Sequence, residues 1–183
     1  VVGCGFMAET VHIPNIMRIP EFKLVAICDR DKGRLNRVGE EFNVRERIED
    51  SNKLLSRPDV DAAVICTRTG THHEITVCAA EKGKHVFVEK PMATNTRDAQ
   101  AMIEAAKRNR VKLAIGHMMR FLPNHQKCKQ IMEAKQIGDV FHIESYSETP
   151  IMKTEDGILL DYATHFIELL LWYLDRPKIS AVG

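Results

Sequence analysis

The sequence lacks several things, and each shortage narrows what the chain can be. No apolar run approaches the ~20 residues that a helix needs to cross a bilayer. Neither charge dominates: 26 Lys and Arg stand against 25 Asp and Glu, for a formal +1. A neutral balance of this kind gives no sign of a nucleic-acid or membrane-surface partner. Cys4, Cys28, Cys66, Cys78 and Cys128 have no C-x-x-C spacing, and most sit in apolar segments. That excludes a zinc ribbon or disulfide framework and points to buried, reduced thiols in a cytoplasmic protein. The histidines lack ligand spacing, so no metal is expected. There is no internal repeat, no low-complexity segment and no initiator methionine.

What is present is ordinary in bulk and specific in order. With 44% hydrophobic and 28% charged residues, the 183-residue chain has the composition of a globular protein, long enough for one domain or one domain plus part of a second. Short strands alternate with helical patterns. Leu24 to Cys28, Ala62 to Cys66, Val86 to Val88 and Leu113 to Gly116 are apolar on both faces, as strands covered by helices on each side must be. Between them, His72 to Glu81 is amphipathic and stops at Gly83. A second helix, about Thr96 to Asn109, follows the cap candidates Thr94 and Asn95, and Ala99, Met102, Ile103 and Ala106 form its stripe. This alternation implies an α/β fold with a doubly wound parallel sheet. After Phe121 the pattern changes. A helix from about Pro123 to Ala134 leads to a strand of mixed polarity, Val140 to Ser147, and a further helix spans about Leu159 to Leu174. The expected division is therefore 1–120 and 121–183. Val1-Val2-Gly3 looks like the end of a strand already under way and Lys178 to Gly183 like the start of another, so a fragment clipped at both ends is expected.

Gly3-Cys4-Gly5-Phe6-Met7-Ala8 fits G-x-G-x-x-A between a strand and a helix. Gly3 permits the tight turn, Gly5 lets a pyrophosphate approach the backbone, and Ala8 lets the helix pack close, with the helix N-terminus turned to the phosphates. Glycines at strand ends are also plain turns. Asp29 strengthens the nucleotide reading: it ends the second strand, where a carboxylate accepts the hydroxyls of an adenosine ribose and repels a 2′-phosphate. NAD is favoured; Arg30 next to it could reach a phosphate, which keeps NADP as the alternative. Asp29 as a solvated strand end or helix cap is the competing reading.

The stretch His85-Val86-Phe87-Val88-Glu89-Lys90-Pro91-Met92 runs from a core strand straight into two opposite charges and a proline. At the carboxyl end of a strand in a doubly wound sheet, a lysine can bond a substrate oxygen; the plainer alternative is a surface ion pair. Asp161 and His165 lie four apart on an expected helix and so share a face, where both could flank one hydroxyl, the imidazole being the better proton acceptor near neutrality. A dipole-favoured Asp with a half-buried His would look the same.

With these segments joined, the chain resembles the Gfo/Idh/MocA family of NAD(P)-dependent oxidoreductases, which includes glucose-fructose oxidoreductase and inositol dehydrogenases. The resemblance covers essentially the whole chain. It rests on the glycine loop, Cys28-Asp29, Thr67 to Glu74 and Gly83 to Pro91. It continues through Arg120-Phe121-Leu122-Pro123, Ile137 to Val140, and Gly157 to His165. It implies an N-terminal Rossmann domain over 1–120. Residues 121–183 would begin an α+β substrate and oligomerisation domain with a largely antiparallel open sheet. It further implies Lys90, Asp161 and His165 as catalytic residues and a cis bond before Pro91. Gly3, Gly5, Phe6, Met7, Ala8, Asp29, Arg30, Thr67, Thr69, His72, Glu89 and Lys90 would lie around the dinucleotide. Two departures stand out: Thr67-Arg68-Thr69 replaces a Thr-Pro-Asn-like turn, and Tyr162 replaces an aliphatic residue.

The activity implied is hydride transfer between NAD and a secondary alcohol or ketone of a sugar, inositol or related polyol, in a cytoplasmic homo-oligomer. The resemblance also admits a non-catalytic dinucleotide-sensing regulator and an NAD-dependent glycosidase. Net turnover of NAD would separate the first of these from the last.

Overall fold

Residues that are apolar on both faces pair here in parallel, as expected. In the computed structural model, which describes residues 1–146, 157 and 159–175 without the side chains of Leu159 and Asp161, the strands are short. They are β1 (Ile27–Cys28), β2 (Arg47–Ile48), β3 (Ala62–Ile65), β4 (His85–Val88) and β5 (Leu113–Ile115). β1 pairs with β2, and β4 lies between β3 and β5, all in parallel. Val2 joins the two groups by bridging in parallel to both Cys28 and Ile65. On one side the Cys28 N–H donates to Val1 O (2.9 Å) and the Gly3 N–H to Cys28 O (2.8 Å). On the other, the Val2 N–H donates to Val64 O (2.8 Å) and the Cys66 N–H to Val2 O (2.7 Å). The spatial order is thus β2-β1-(Val1-Val2)-β3-β4-β5. The order in which successive strands are added reverses beside Val1-Val2, the point where open α/β sheets bind ligands.

Alternate residues of these strands feed two cores, so both faces are covered. Val2, Cys28, Ala63, Ile65, Val86 and Val88 pack with Leu54, Ile75, Ala79 and Met102; Val1, Ile27 and Val64 pack with Ala8, Ile13, Leu35 and Val38. The covering helices are a π-helical turn Ala8–His12 running into α1 (Ile13–Arg18), then α2 (Lys32–Glu41), α3 (Ser51–Leu55), α4 (His72–Glu81) and α5 (Thr96–Arg108). The π-turn has a local cause: Pro14 has no N–H to return to the preceding turn, so the ladder opens just before it. α4 ends in a Schellman motif, with Gly83 at φ +73°, the Gly83 N–H donating to Ala80 O and the Lys84 N–H to Ala79 O, both at 2.9 Å. Asn95 caps α5 by accepting from the Asp98 N–H at 2.9 Å. Within α5, Ala105 is buried together with Met102 and Ala106, whereas Ile103 is half-buried. The expected strand Leu24 to Cys28 shrinks to its last two residues, because its partner β2 offers only two positions for pairing.

The chain divides into two compact units, Val1–Gly116 and His117–Gly183. The second contains a 3₁₀ turn Met119–Phe121, α6 (Pro123–Glu133), a π-turn Leu159–Ala163 and α7 (Thr164–Tyr173). Arg120 pairs with Glu168 of α7. The buried Lys129 of α6 caps the end of α7, donating to Tyr173 O (3.1 Å) and to Asp175 Oδ2 (2.6 Å). The strand expected over Val140 to Ser147 is not formed by residues 140–146, and Ser147 lies outside the described residues, as does the strand expected near Lys178 to Gly183. A strand exists by its ladder, and no described segment pairs with 140–146: Phe141 is 98% and Tyr146 83% exposed. No helix among the described residues is long and apolar enough to cross a membrane.

Candidate active site

The glycine loop leaves the sheet at the switch point, and its two glycines do different work. Gly3 sits at φ +89°, and a Cβ there would lie 2.7 Å from the backbone C and O of Cys66 and 2.9 Å from the Thr67 nitrogen. The loop therefore passes against the chain leaving β3 with no room for a side chain. A Cβ on Gly5 would meet nothing within 4 Å. That is open space in front of the helix, which starts at once, the Glu9 N–H donating to Gly5 O at 3.0 Å. The first turn of a helix has amides without intrahelical acceptors, so an anion at this opening finds both space and donors. Ala8 is fully buried under the sheet.

Asp29 closes the loop from the next strand. Its Oδ2 accepts from the Cys4 N–H (2.8 Å) and its Oδ1 from the Asp31 N–H (2.8 Å), while Arg34 Nη1 stands 3.5 Å from Oδ2. A carboxylate has about four lone-pair sites, so acceptor capacity remains for ribose hydroxyls. Asp29 thus orders the loop and still faces a cleft of about 750 Å³ lined by Gly3, Gly5, Arg30, Arg34, Asn52 and Thr67, among others. The open cradle at Gly5, the clamped Asp29 and a cleft of this size fit a dinucleotide. Burial pushes the thiols around the loop up, Cys4 to about 12, Cys28 to about 11 and Cys66 to about 12, so they are poor nucleophiles.

Of the expected cofactor residues, Gly3, Gly5, Asp29, Arg30 and Thr67 line this cleft. Phe6 is exposed, Met7 half-buried, and Ala8 and Thr69 are buried without lining it. In the Thr67-Arg68-Thr69 departure, Arg68 adopts φ −68°, ψ 145°, a φ that proline would also hold. His72 is a brace: it is 1% exposed, with Nδ1 2.9 Å from Pro91 O and Nε2 3.0 Å from Thr67 O.

Glu89 and Lys90 emerge at the same carboxyl edge of the sheet, one strand beyond the cleft. The Glu89 N–H donates to Ile65 O (3.0 Å) and the Lys90–Pro91 bond is cis. Glu89 itself is buried, with Oε1 2.6 Å from His12 Nε2 and Oε2 accepting from the Lys90 N–H at 3.1 Å. Burial pushes this carboxyl up, but the His12 hydrogen bond and charge and the Lys90 N–H outweigh it, and the group titrates below the usual carboxylate range.

In the second unit, His165 lies in the first turn of α7, half-buried, with its ring edge-on to His117 at 6.2 Å between centroids. Asp161 lies one turn earlier in the π-turn Leu159–Ala163, and its side chain lies outside the described residues. Among the described residues no group of His, Cys, Asp and Glu could hold a metal ion.

Two residues escaped the sequence reading. Arg34 follows Asp29 by five positions, in the first turn of α2 behind its cap Asp31, a spacing that could have marked it. His12 follows Gly5 by seven, two helical turns on, but nothing in sequence joins it to Glu89.

A family model described as an oxidoreductase family with an NAD-binding Rossmann fold, Gfo/Idh/MocA, matches residues 1–117. The chain is 34% identical over 175 residues to a myo-inositol 2-dehydrogenase of Thermotoga maritima, covering 92% of this chain and 52% of that protein. It is 30% identical over 190 residues to an NAD(+)-dependent scyllo-inositol 2-dehydrogenase of Bacillus subtilis, covering 100% of this chain and 55% of that one. Its fold matches the crystal structure of scyllo-inositol dehydrogenase from Lactobacillus casei with bound NAD(H) and scyllo-inositol. There the TM-score is 0.86 at 28% identity, over 94% of this chain and 54% of the other. The chain spans about half the length of the curated relatives it matches.

Proposed function

This chain belongs to the Gfo/Idh/MocA oxidoreductase family, and from that premise we propose that the whole protein is an NAD-dependent dehydrogenase acting on a secondary alcohol of an inositol, or of a related polyol or sugar. The observation that carries the reading is the carboxyl edge of the sheet. An open glycine cradle, a ribose-competent Asp29 and, one strand over, a lysine on a clamped turn follow one another there. The relatives named for inositols support the substrate class.

Residues 1–120 bind the dinucleotide, and 121–183 begin the domain for substrate and self-association. When bound, the nicotinamide supplies the hydride acceptor. The Lys90 ammonium bonds the reacting oxygen and stabilises negative charge as the hydroxyl loses its proton, a contribution of a few kcal/mol in a water-poor site. His165 takes that proton, and Asp161 orients the neighbouring hydroxyl. Arg30 and Arg34 flank Asp29, so NADP is the alternative cofactor, disfavoured by the carboxylate. The free cysteines support a cytoplasmic location, and the family resemblance supports a homo-oligomer.

The test is a panel of inositols, sugars and polyols offered to the whole protein with NAD⁺, followed by NADH absorbance and repeated with Lys90→Met. NADH should accumulate with an inositol or polyol, and Lys90→Met should lower kcat by roughly 10²–10³ while NADH still binds. A Lys90→Met protein with full turnover would refute the assignment.

A further inference from the structure

Lys90 can serve a reacting oxygen only if its backbone points in one direction, and the structure contains a device for this that lies outside the cofactor cleft. The last ladder bond of this strand is from the Glu89 N–H to Ile65 O, and beyond it side chains meet the backbone of Lys90 and Pro91. The Glu89 carboxylate turns back on its own strand end, one oxygen accepting from the Lys90 N–H at 3.1 Å. The slot it occupies is cut to size by the end of β5: a Cβ on Gly116 would stand 3.1 Å from Oε2 and 3.2 Å from Oε1. The other oxygen meets His12 Nε2 at 2.6 Å. Both side chains are nearly closed to solvent, at 14% for His12 and 11% for Glu89. The His12 ring also packs on Phe87 of β4, with centroids 5.2 Å apart. His12 ends the π-turn that Pro14 imposes on the glycine-loop helix, and such turns often mark functional positions.

A buried carboxylate at this place is costly unless paired, and a hydrophobic residue would fill the space at lower cost. Its geometry accounts for its presence: it links the glycine-loop helix to the Lys90 amide. We propose that His12 and Glu89 form a positioning dyad, in which His12 holds the Glu89 carboxylate and the carboxylate fixes the Lys90 backbone, so that the lysine is presented in one direction to the substrate oxygen. Neither member lines the dinucleotide cleft, and both act through the Lys90 backbone. The dyad rests on the dehydrogenase reading through the role of Lys90.

His12→Ala, His12→Gln and Glu89→Gln in the whole protein test it. Gln at position 12 keeps an N–H donor near the place of Nε2. The expected result has two parts. The Lys90 amide proton, followed by NMR, moves upfield in His12→Ala and Glu89→Gln and returns in His12→Gln. On the polyol that the wild type oxidises, His12→Ala lowers kcat at least tenfold with the NAD⁺ Kd within twofold of wild type, and His12→Gln restores more than half of kcat. An unmoved Lys90 amide overturns the dyad, as does a His12→Ala kcat within twofold of wild type or a loss of kcat that merely tracks lost NAD⁺ binding. A wild type that reduces no NAD⁺ with any polyol is a different result, which refutes the dehydrogenase reading and leaves the amide measurement to judge the clamp.

Discussion

Replacing Gly3 or Gly5 by alanine adds the same methyl group two residues apart, and the structure assigns the two substitutions opposite consequences. At Gly3 the backbone has φ +89°, and the new carbon would lie 2.7 Å from the Cys66 carbonyl carbon and oxygen. An L residue in a left-handed conformation costs about 1–2 kcal/mol, and forcing an extra carbon into a close-packed site typically costs about 1–3 kcal/mol. Backbone, not a flexible side chain, must give way, and the segment displaced is the one whose Cys66 N–H closes the sheet onto Val2 O. The sum, about 2–5 kcal/mol, is a large part of an ordinary domain's stability, and lowers the melting temperature on the order of 10 °C. At Gly5 the methyl meets nothing, so the melting temperature should stay near wild type. There the methyl occupies the space a pyrophosphate needs, and NAD⁺ affinity should fall at least tenfold, about 1.4 kcal/mol. The assay is a thermal melt of the whole protein without cofactor, paired with an NADH fluorescence titration. Gly3→Ala melting with wild type, or Gly5→Ala binding NADH normally, would refute the division of labour argued for the loop.

Other outcomes follow from the same geometry. Asp29→Ser removes the ribose acceptor and the repulsion of a 2′-phosphate, so NAD⁺ binding should weaken while the NADP⁺ to NAD⁺ affinity ratio rises; an unchanged ratio in paired titrations would count against Arg30 and Arg34 facing that position. Cys128 is exposed whereas Cys4, Cys28 and Cys66 are held up near 11–12, so native alkylation at pH 8, mapped by mass spectrometry, should mark Cys128 and spare those three. Because these folded thiols bind protons more tightly than an unfolded thiol of pKa about 8.5, their contribution to stability is complete below that pH and is lost as pH rises toward 11–12. Glu89 acts in the opposite direction: its carboxyl is lowered on folding, so its contribution is complete above the ordinary carboxylate range and is lost as pH falls through the folded value, a loss that denaturant melts should no longer show in Glu89→Gln. Lys129→Met leaves the Tyr173 carbonyl without its donor and should cost about 1–3 kcal/mol in a thermal melt.

Much of this protein was legible in one dimension because local rules suffice for it. Runs apolar on both faces can only be covered strands, and β3, β4 and β5 came within a residue or so of where those runs lie. The end of α4 follows from Gly83 and the start of α5 from Asn95, each a matter of one residue's conformational or hydrogen-bonding preference. G-x-G-x-x-A and the carboxylate after the next strand located the cleft, since the spacing of a strand-helix-strand unit brings those residues to one edge. The strand expected at 140–146 failed for the complementary reason: polarity pattern describes a face, but a ladder needs a second backbone, and the described chain provides none there.

What only the tertiary structure decided concerns partners distant in sequence. His72 has the polarity of a ligand-facing residue, yet its ring spans two carbonyls, because α4 enters directly beneath the Pro91 turn. The two roles of Asp29, clamp on Cys4 and lining of the cleft, became visible only once β1 lay against the glycine loop. Sequence alone marked Glu89-Lys90-Pro91 as a charge pair at the end of a core strand. That Glu89 is buried, that Gly116 shapes its slot and that His12 holds it from 77 residues away depend on three chain segments meeting at one sheet edge, and no local preference encodes that meeting.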